Sequence, residues 1–262
     1  MNCSTRIRPI WVHDVSERHQ VTRVRRETRR RTITVAATER LTPHMLRLNF
    51  TSDDFDDFDS AGPDDHIKLF LADAAGERVA RDYTPRAFDR VGGTLVIDFA
   101  LHDAGPATRW ALSATRGDTI EIGGPRGSTI IADDFDWYLL IGDETALPSI
   151  ARRLEELRPG VPVTAVIAID GPKDRLEFST RAALTLAWSE RAGSAAPDDA
   201  RLRALVAGLP AGDGFVWIAA EAGVARAMRS HVVDTLEHPR GWCKASGYWS
   251  AGKAGAHDKI GD

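Results

Sequence analysis

Trp137-Tyr138-Leu139-Leu140-Ile141-Gly142-Asp143-Glu144-Thr145-Ala146-Leu147-Pro148 is the stretch on which the architecture of this chain turns. Trp137–Ile141 is a short apolar strand, and Gly142 opens a turn. The helix predicted over Ala146–Leu157 carries Ile150, Leu154 and Leu157 at helical spacing, and Pro159-Gly160 stops it. Farther on, Val161–Ile169 and Phe215–Ala219 read as strands, and Glu221–Leu236 as a second helix with Val224, Met228, Val232 and Leu236 on one stripe. Strands alternating with helices imply a parallel α/β sheet, whose ligands sit at the carboxyl ends of its strands. Residues 193–199, rich in Ser, Ala, Pro and Asp, read as a surface loop.

Upstream of this stretch the pattern differs. Thr32–Thr38, Met45–Phe50, His66–Ala72, Thr94–Leu101 and Asp118–Ile122 are β-rich runs separated by Gly, Pro and Asp. Only a short helix, over Pro106–Ala114, interrupts them. Strands in succession with turn signals between them predict a small antiparallel barrel. The fold class expected is therefore an all-β barrel domain followed by an α/β domain. The boundary falls at residues 133–136, where Asp133, Asp134 and Asp136 mark an exposed junction. The divisions are a flexible Arg-rich tail (1–27), a barrel (28–133) and an α/β half with the C-terminal segment (134–262).

Composition narrows the function classes. The 262 residues, 43% hydrophobic and 27% charged, are those of a globular chain, and a net charge of −4 gives no global reason to expect nucleic acid as a partner. No run approaches the roughly 18 apolar residues of a membrane helix, and the N-terminus lacks a signal-peptide pattern. Two cysteines, Cys3 and Cys243, make no zinc site alone, no metal centre is expected, and a reducing cytoplasm is the simplest location. Six arginines between Arg23 and Arg31 have two readings, an anion-binding arm or a solvated lead-in to the first strand.

Arg81-Asp82-Tyr83-Thr84 matches the R-x-Y-[ST] flavin signature of ferredoxin-reductase-like enzymes. On a strand, Arg81 and Tyr83 point to one face. An arginine can fork onto pyrophosphate oxygens, a tyrosine ring can lie against an isoalloxazine, and a threonine hydroxyl can reach the flavin N5 edge. Leu41–Met45, His66–Leu69, Arg81–Arg86, Ile97–His102, Gly105–Trp110, Gly124–Ser128, Trp137–Pro148 and Gly247–Trp249 follow in the order and spacing of the siderophore-interacting proteins. The chain resembles that family from about residue 28 to about 255.

The resemblance implies an FAD-dependent reductase of ferric siderophores, with NADPH or NADH as electron donor. Arg81, Asp82, Tyr83 and Thr84 would bind the cofactor, Tyr83 and Thr84 taking the catalytic positions. Asp98, Phe99, Ala100, Leu101 and His102 would line the flavin, and Pro106, Ala107 and Thr108 would offer backbone donors at a helix start. Plainer readings stand beside these: Asp98 as an edge carboxylate, His102 as a half-buried imidazole, Trp110 as a core aromatic. Gly142–Pro148 is no G-x-G-x-x-G loop; Thr145 is a candidate nicotinamide contact, while Asp143 and Glu144 are equally candidates for capping the next helix. Lys68 and Lys253 are candidate steering cations for an anionic ferric siderophore, or solvated lysines. Two other readings remain: exchange of electrons with a ferredoxin-like protein, and a non-redox siderophore-binding accessory.

Overall fold

The computed structural model describes residues 18–101, 105–191, 208–252 and 258–260. Its first half comprises β1 (Val21–Arg25), β2 (Arg30–Thr42), β3 (Met45–Thr51), β4 (Ile67–Ala72), β5 (Arg78–Tyr83), β6 (Ala87–Asp89), β7 (Thr94–Ala100), helix α1 (Pro106–Ser113), β8 (Thr119–Gly123) and β9 (Gly127–Ile131). Seven of the strands form one antiparallel sheet in the order β5-β4-β8-β2-β3-β7-β6. Laid flat, that order would hold β5 and β6 about 29 Å apart at about 4.8 Å per spacing. Yet only Thr84-Pro85-Arg86 joins them, and the four Cα steps involved reach about 15 Å at most. The sheet must therefore roll until its edges approach, which gives the expected barrel. Across the seam the Tyr83 ring of β5 lies 4.5 Å from the Phe99 ring of β7. Alternate residues of each strand, among them Ile33, Leu48, Ile67, Leu69, Ile97 and Ile122, fill the interior.

The second half holds β10 (Trp137–Gly142), a 3-10 turn (Glu144–Ala146), α2 (Leu147–Glu156), β11 (Pro162–Ile169), β12 (Ala183–Glu190), β13 (Gly214–Glu221), α3 (Ala222–Ser230), β14 (Cys243–Trp249) and β15 (Asp258–Lys259). The sheet order is β12-β11-β10-β13-β14-β15, parallel except for the last pair. The chain winds outward from β10 to β12 and then returns to β13, so its topological switch point lies between β10 and β13. Both faces are covered, as a parallel sheet requires. Tyr138 and Leu140 pack with Ile150 and Leu154 of α2, whereas Leu139 and Ile141 pack with Ala225 and Met228 of α3. Gly142 is glycine for a steric reason: a Cβ there would sit 2.8 Å from the Ala146 Cβ and 3.0 Å from the Ala219 oxygen.

Three expectations change. Val21–Arg25 is a strand paired antiparallel with β9, not part of a flexible tail. Several of the clustered arginines are not a free arm, because the loop Asp53-Asp54-Phe55-Asp56-Asp57-Phe58-Asp59 pairs with them, Arg31 buried and Arg29 at the surface. Phe55 and Phe58 enter the barrel core, while Arg29 pairs with Asp54 at 2.6 Å and Arg31 with Asp57 at 2.5 Å; Arg26 pairs with Asp59. Arg31 and Arg29 hold the Asp57 carboxyl down to about 2. The second helix is shorter than its stripe implied. Glu221 is its N-cap, and after Ser230 one π-turn (His231–Thr235) carries the Leu236 N–H to the His231 carbonyl. That wider turn swings Leu236 off the buried face, leaving it 41% exposed. Cys3 and the loop at 193–199 lie outside the described residues.

Candidate active site

The flavin signature lies on the last strand of the rolled sheet and its closing crossover. Arg81 and Tyr83 stand opposite Leu69 and Ile67 in register, so they share one face, as the alternation predicted. Asp82 points the other way and pairs with the half-exposed Lys68 at 2.8 Å. Burial pushes the Tyr83 phenol far above its ordinary range, so it stays neutral. Thr84 is buried at the join between the halves.

Helix α1 starts close by, packed against β4 and β7. Its N-cap is Gly105, no side chain caps it, and its first turn contains no acid. Among the described residues, a Cβ built on Gly105 would meet nothing within 4 Å. Pro106 has no N–H, and Ala107 and Thr108 present the first backbone donors of the helix, which suits an anion. Trp110 packs on the barrel core beside Phe50 and Phe99 and is a core aromatic.

The strand after the signature is divided by its pleat. Phe99 faces the barrel interior with no exposed surface, so its side chain lines no ligand. The Asp98 carboxylate is closed by Arg47, which donates from Nε at 2.7 Å and Nη2 at 2.8 Å. Both side chains are engaged within the protein, Asp98 with Arg47 and Phe99 with the barrel core. Ala100 packs toward the second half, Leu101 toward the barrel, and the end of β7 reaches the Glu144–Ala146 turn. His102 and Lys253 lie outside the described residues.

At the switch point a shallow cleft of about 10 Å³, room for one water, is lined by residues that include Gly142, Asp143, Ser189, Arg191 and Glu221. Asp143 is spent on the protein itself. Its Oδ1 accepts from the Thr145 N–H (3.0 Å) and hydroxyl (2.5 Å), and its Oδ2 from the Glu221 N–H (3.0 Å) and the Trp249 indole (2.8 Å). The capping reading of Asp143 therefore holds, and one carboxylate ties the ends of β10, β13 and β14. Glu144 caps nothing; it pairs with Arg191, which also holds Asp170 at 3.0 Å. Ala220 is buried, and the adjoining Glu221 carboxylate caps α3 through Gly223 and Val224. Among the described residues no group of three or more His, Cys, Asp or Glu is placed to hold a metal.

Sequence reading missed what fastens the crossover. Three consecutive residues meet three positions of α2 spaced three apart. The Thr84 and Ser149 hydroxyls are 3.0 Å apart, Arg152 Nη1 donates to the Pro85 carbonyl at 2.9 Å, and Arg86 Nη1 donates to Glu155 at 3.0 Å. Arg152 is buried and also donates to the Ser60 hydroxyl and carbonyl at 2.9 Å each. A Ser-x-x-Arg-x-x-Glu stripe was visible in the sequence, but a polar stripe ordinarily signals water.

The two halves, a barrel with its flavin signature and a doubly wound sheet, define a ferredoxin-reductase-like fold. Residues 34–80 and 73–129 match the siderophore-interacting FAD-binding domain, and residues 135–252 match the model described as siderophore-interacting protein. The chain is 32% identical over 252 residues to the NADPH-dependent ferric-chelate reductase of Escherichia coli, covering 87% of this chain and 96% of that one. It is similar to the crystal structure of a siderophore utilization protein from T. fusca, with TM-score 0.82, 33% identity, and 90% and 98% of the two chains covered. A ferredoxin reductase in carbazole 1,9a-dioxygenase shares the fold at TM-score 0.64 and 17% identity, over 82% of this chain and 68% of that one. The chain belongs to the siderophore-interacting protein family, and its barrel half is that family's FAD-binding domain.

Proposed function

We propose that this protein is an FAD-dependent reductase of ferric siderophores that takes electrons from NADPH or NADH and releases iron as Fe(II). The observation that carries the reading is the placement of Thr84: buried where barrel and α/β half meet, one residue beyond Tyr83, in the half that bears the start of α1. This donor set fits FAD. Arg81, with Ala107 and Thr108 at the start of α1, would hold the pyrophosphate; Tyr83 would lie against the ring and Thr84 would meet its N5 edge. When bound, FAD supplies the conversion of a two-electron hydride donor into single electrons for iron.

This chain's own residues bind, orient and exclude water. Tyr83 stays neutral against Phe99, and Arg152 locks the crossover so that the Thr84 hydroxyl cannot drift. The second half is assigned the donor, at the carboxyl ends of β10 and β13, with Thr145 in the turn that follows β10. Residues 28–133 and 134–262 are taken as the two working domains. Overall, one NAD(P)H and two Fe(III) give NAD(P)⁺, a proton and two Fe(II). Hard oxygen ligands hold Fe(II) more weakly, so iron leaves without a protein ligand. The donor assignment draws on the E. coli relative, described as NADPH-dependent. The reaction is placed in the cytoplasm; no helix among the described residues is long and apolar enough to cross a membrane.

The test is a flavin absorption spectrum of the purified protein, then Fe(II) formation from ferric siderophores with NADPH, NADH or reduced ferredoxin in parallel. A colourless protein that cannot be reconstituted with FAD would refute the reading. A rate with ferredoxin alone would reassign the donor, and bound flavin without iron reduction by any donor would make the protein a non-redox accessory.

A further inference from the structure

Thr84, in the crossover after β5, does not stand alone at the seam. Its hydroxyl is 3.0 Å from that of Ser149 in the first turn of α2, and the Ser149 hydroxyl is 3.1 Å from the phenol of Tyr248 near the end of β14. Either oxygen can be the donor in both contacts, so three hydroxyls from three distant parts of the chain form one row. Ser149 is 1% exposed, and a buried hydroxyl proton without an acceptor costs about 1–3 kcal/mol. The row is neutral at Tyr248, whose phenol burial keeps protonated. Asp64, Asp65 and Asp143 are the carboxylates facing it.

We infer that Ser149 and Tyr248 are positioning residues that let the Thr84 hydroxyl reverse its hydrogen bond when the flavin changes oxidation state. The inference rests on the reading that Thr84 meets the N5 edge. Oxidised N5 is an acceptor and needs a Thr84 proton directed at it. Reduced N5 carries a hydrogen and needs a Thr84 lone pair, so the Thr84 proton must go elsewhere. Ser149 is the acceptor placed to take it, and passes the same reversal to Tyr248 by hydroxyl rotation alone, with no heavy atom moved. The α/β half thereby stabilises the reduced cofactor from behind the threonine.

The sign follows from the donor count. Without Ser149 the oxidised state keeps its Thr84–N5 bond, while the reduced state strands a buried O–H. Ser149→Ala is therefore expected to shift the reduced-to-oxidised ratio about tenfold toward oxidised, a fall of about 30 mV for a two-electron couple. Tyr248→Phe, which keeps the ring, is expected to shift it by roughly threefold, about 15 mV, in the same direction.

The experiment measures the flavin midpoint potential of the holoprotein for Ser149→Ala, Tyr248→Phe and Thr84→Val. A thermal-melt double-mutant cycle on the apoprotein, for Ser149→Ala with Tyr248→Phe, gives a flavin-independent readout of the hydroxyl row. Falls for both, with coupling in the cycle, support the inference. A potential that moves for Thr84→Val but not for Ser149→Ala or Tyr248→Phe overturns it and leaves the N5 reading standing. A potential unmoved by Thr84→Val overturns both. Should Ser149→Ala fail to fold, Tyr248→Phe decides alone.

Discussion

Helix α1 begins on Gly105, with no side-chain cap and no acid in its first turn, whereas two helical starts of the second half, the Glu144–Ala146 turn and α3, begin on the protein's own carboxylates. Asp143 caps the turn leading into α2, and Glu221 caps α3. Both designs answer the same need, because every helix start leaves backbone N–H groups without intrahelical partners. In the barrel half no described side chain meets that need at α1; in the α/β half Asp143 and Glu221 meet it for the Glu144–Ala146 turn and for α3. The second half thus keeps the strand order of a doubly wound sheet, with the turn after β10 closed by its own carboxylate.

The largest effect is expected where the unlike halves are joined. Arg152→Ala removes a buried cation that binds the Pro85 carbonyl and Ser60. It should cost about 3–5 kcal/mol of unfolding free energy in a denaturant titration. A loss below about 1 kcal/mol would mean the halves are not fastened there.

Next comes a swap of one design for the other. Gly105 has an extended backbone (φ −65°, ψ 154°) and room for a side chain, so Gly105→Asp would furnish α1 with its own cap. FAD affinity by fluorescence titration should fall roughly tenfold to hundredfold through competition for the same N–H groups and repulsion of the anion. Gly105→Ala should leave it within about threefold. The converse removes a cap: Glu221→Ala should cost about 1 kcal/mol of stability and leave FAD affinity unchanged. A parallel loss of FAD affinity would erase the distinction between the two kinds of helix start.

The smallest effect concerns a second tie between the halves. Asp64 accepts from the Trp217 indole at 3.2 Å and pairs with Lys244 at 2.6 Å. Burial opposes its ionisation, but the Lys244 ammonium and the Trp217 N–H outweigh that, so its pKa is lowered from 3.8. A depressed folded-state pKa contributes stability that is complete above the unfolded value and lost as pH falls through the folded one. The melting temperature should therefore show an acid-side decline below about pH 4 that is reduced in Lys244→Met.

Much of this was legible in advance, for identifiable reasons. β2, β3, β4, β7, β8, β10, β11 and β13 announced themselves by β-rich runs bounded by turn residues, and α2 by its apolar spacing. β12 and β14 were not named: β12 alternates exposed and buried positions at a sheet edge, and β14 is interrupted by Lys244, Ser246 and Gly247. The flavin segment was recognisable as a motif, but its neighbours were not. Asp98 and Phe99 looked like a continuation of the site, and the pleat sent one to Arg47 and the other into the core.

By itself the sequence determined the two halves, their order, the family and the segment Arg81–Thr84, because hydrophobic period, turn residues and short motifs are local properties. Only the tertiary structure decided that Thr84-Pro85-Arg86 closes the barrel and rests on Ser149, Arg152 and Glu155. It also decided that Asp143 and Lys68 already have partners. Such facts depend on which distant charges and hydroxyls are brought within 3 Å, and a polar side chain looks the same in sequence whether water or a buried partner satisfies it.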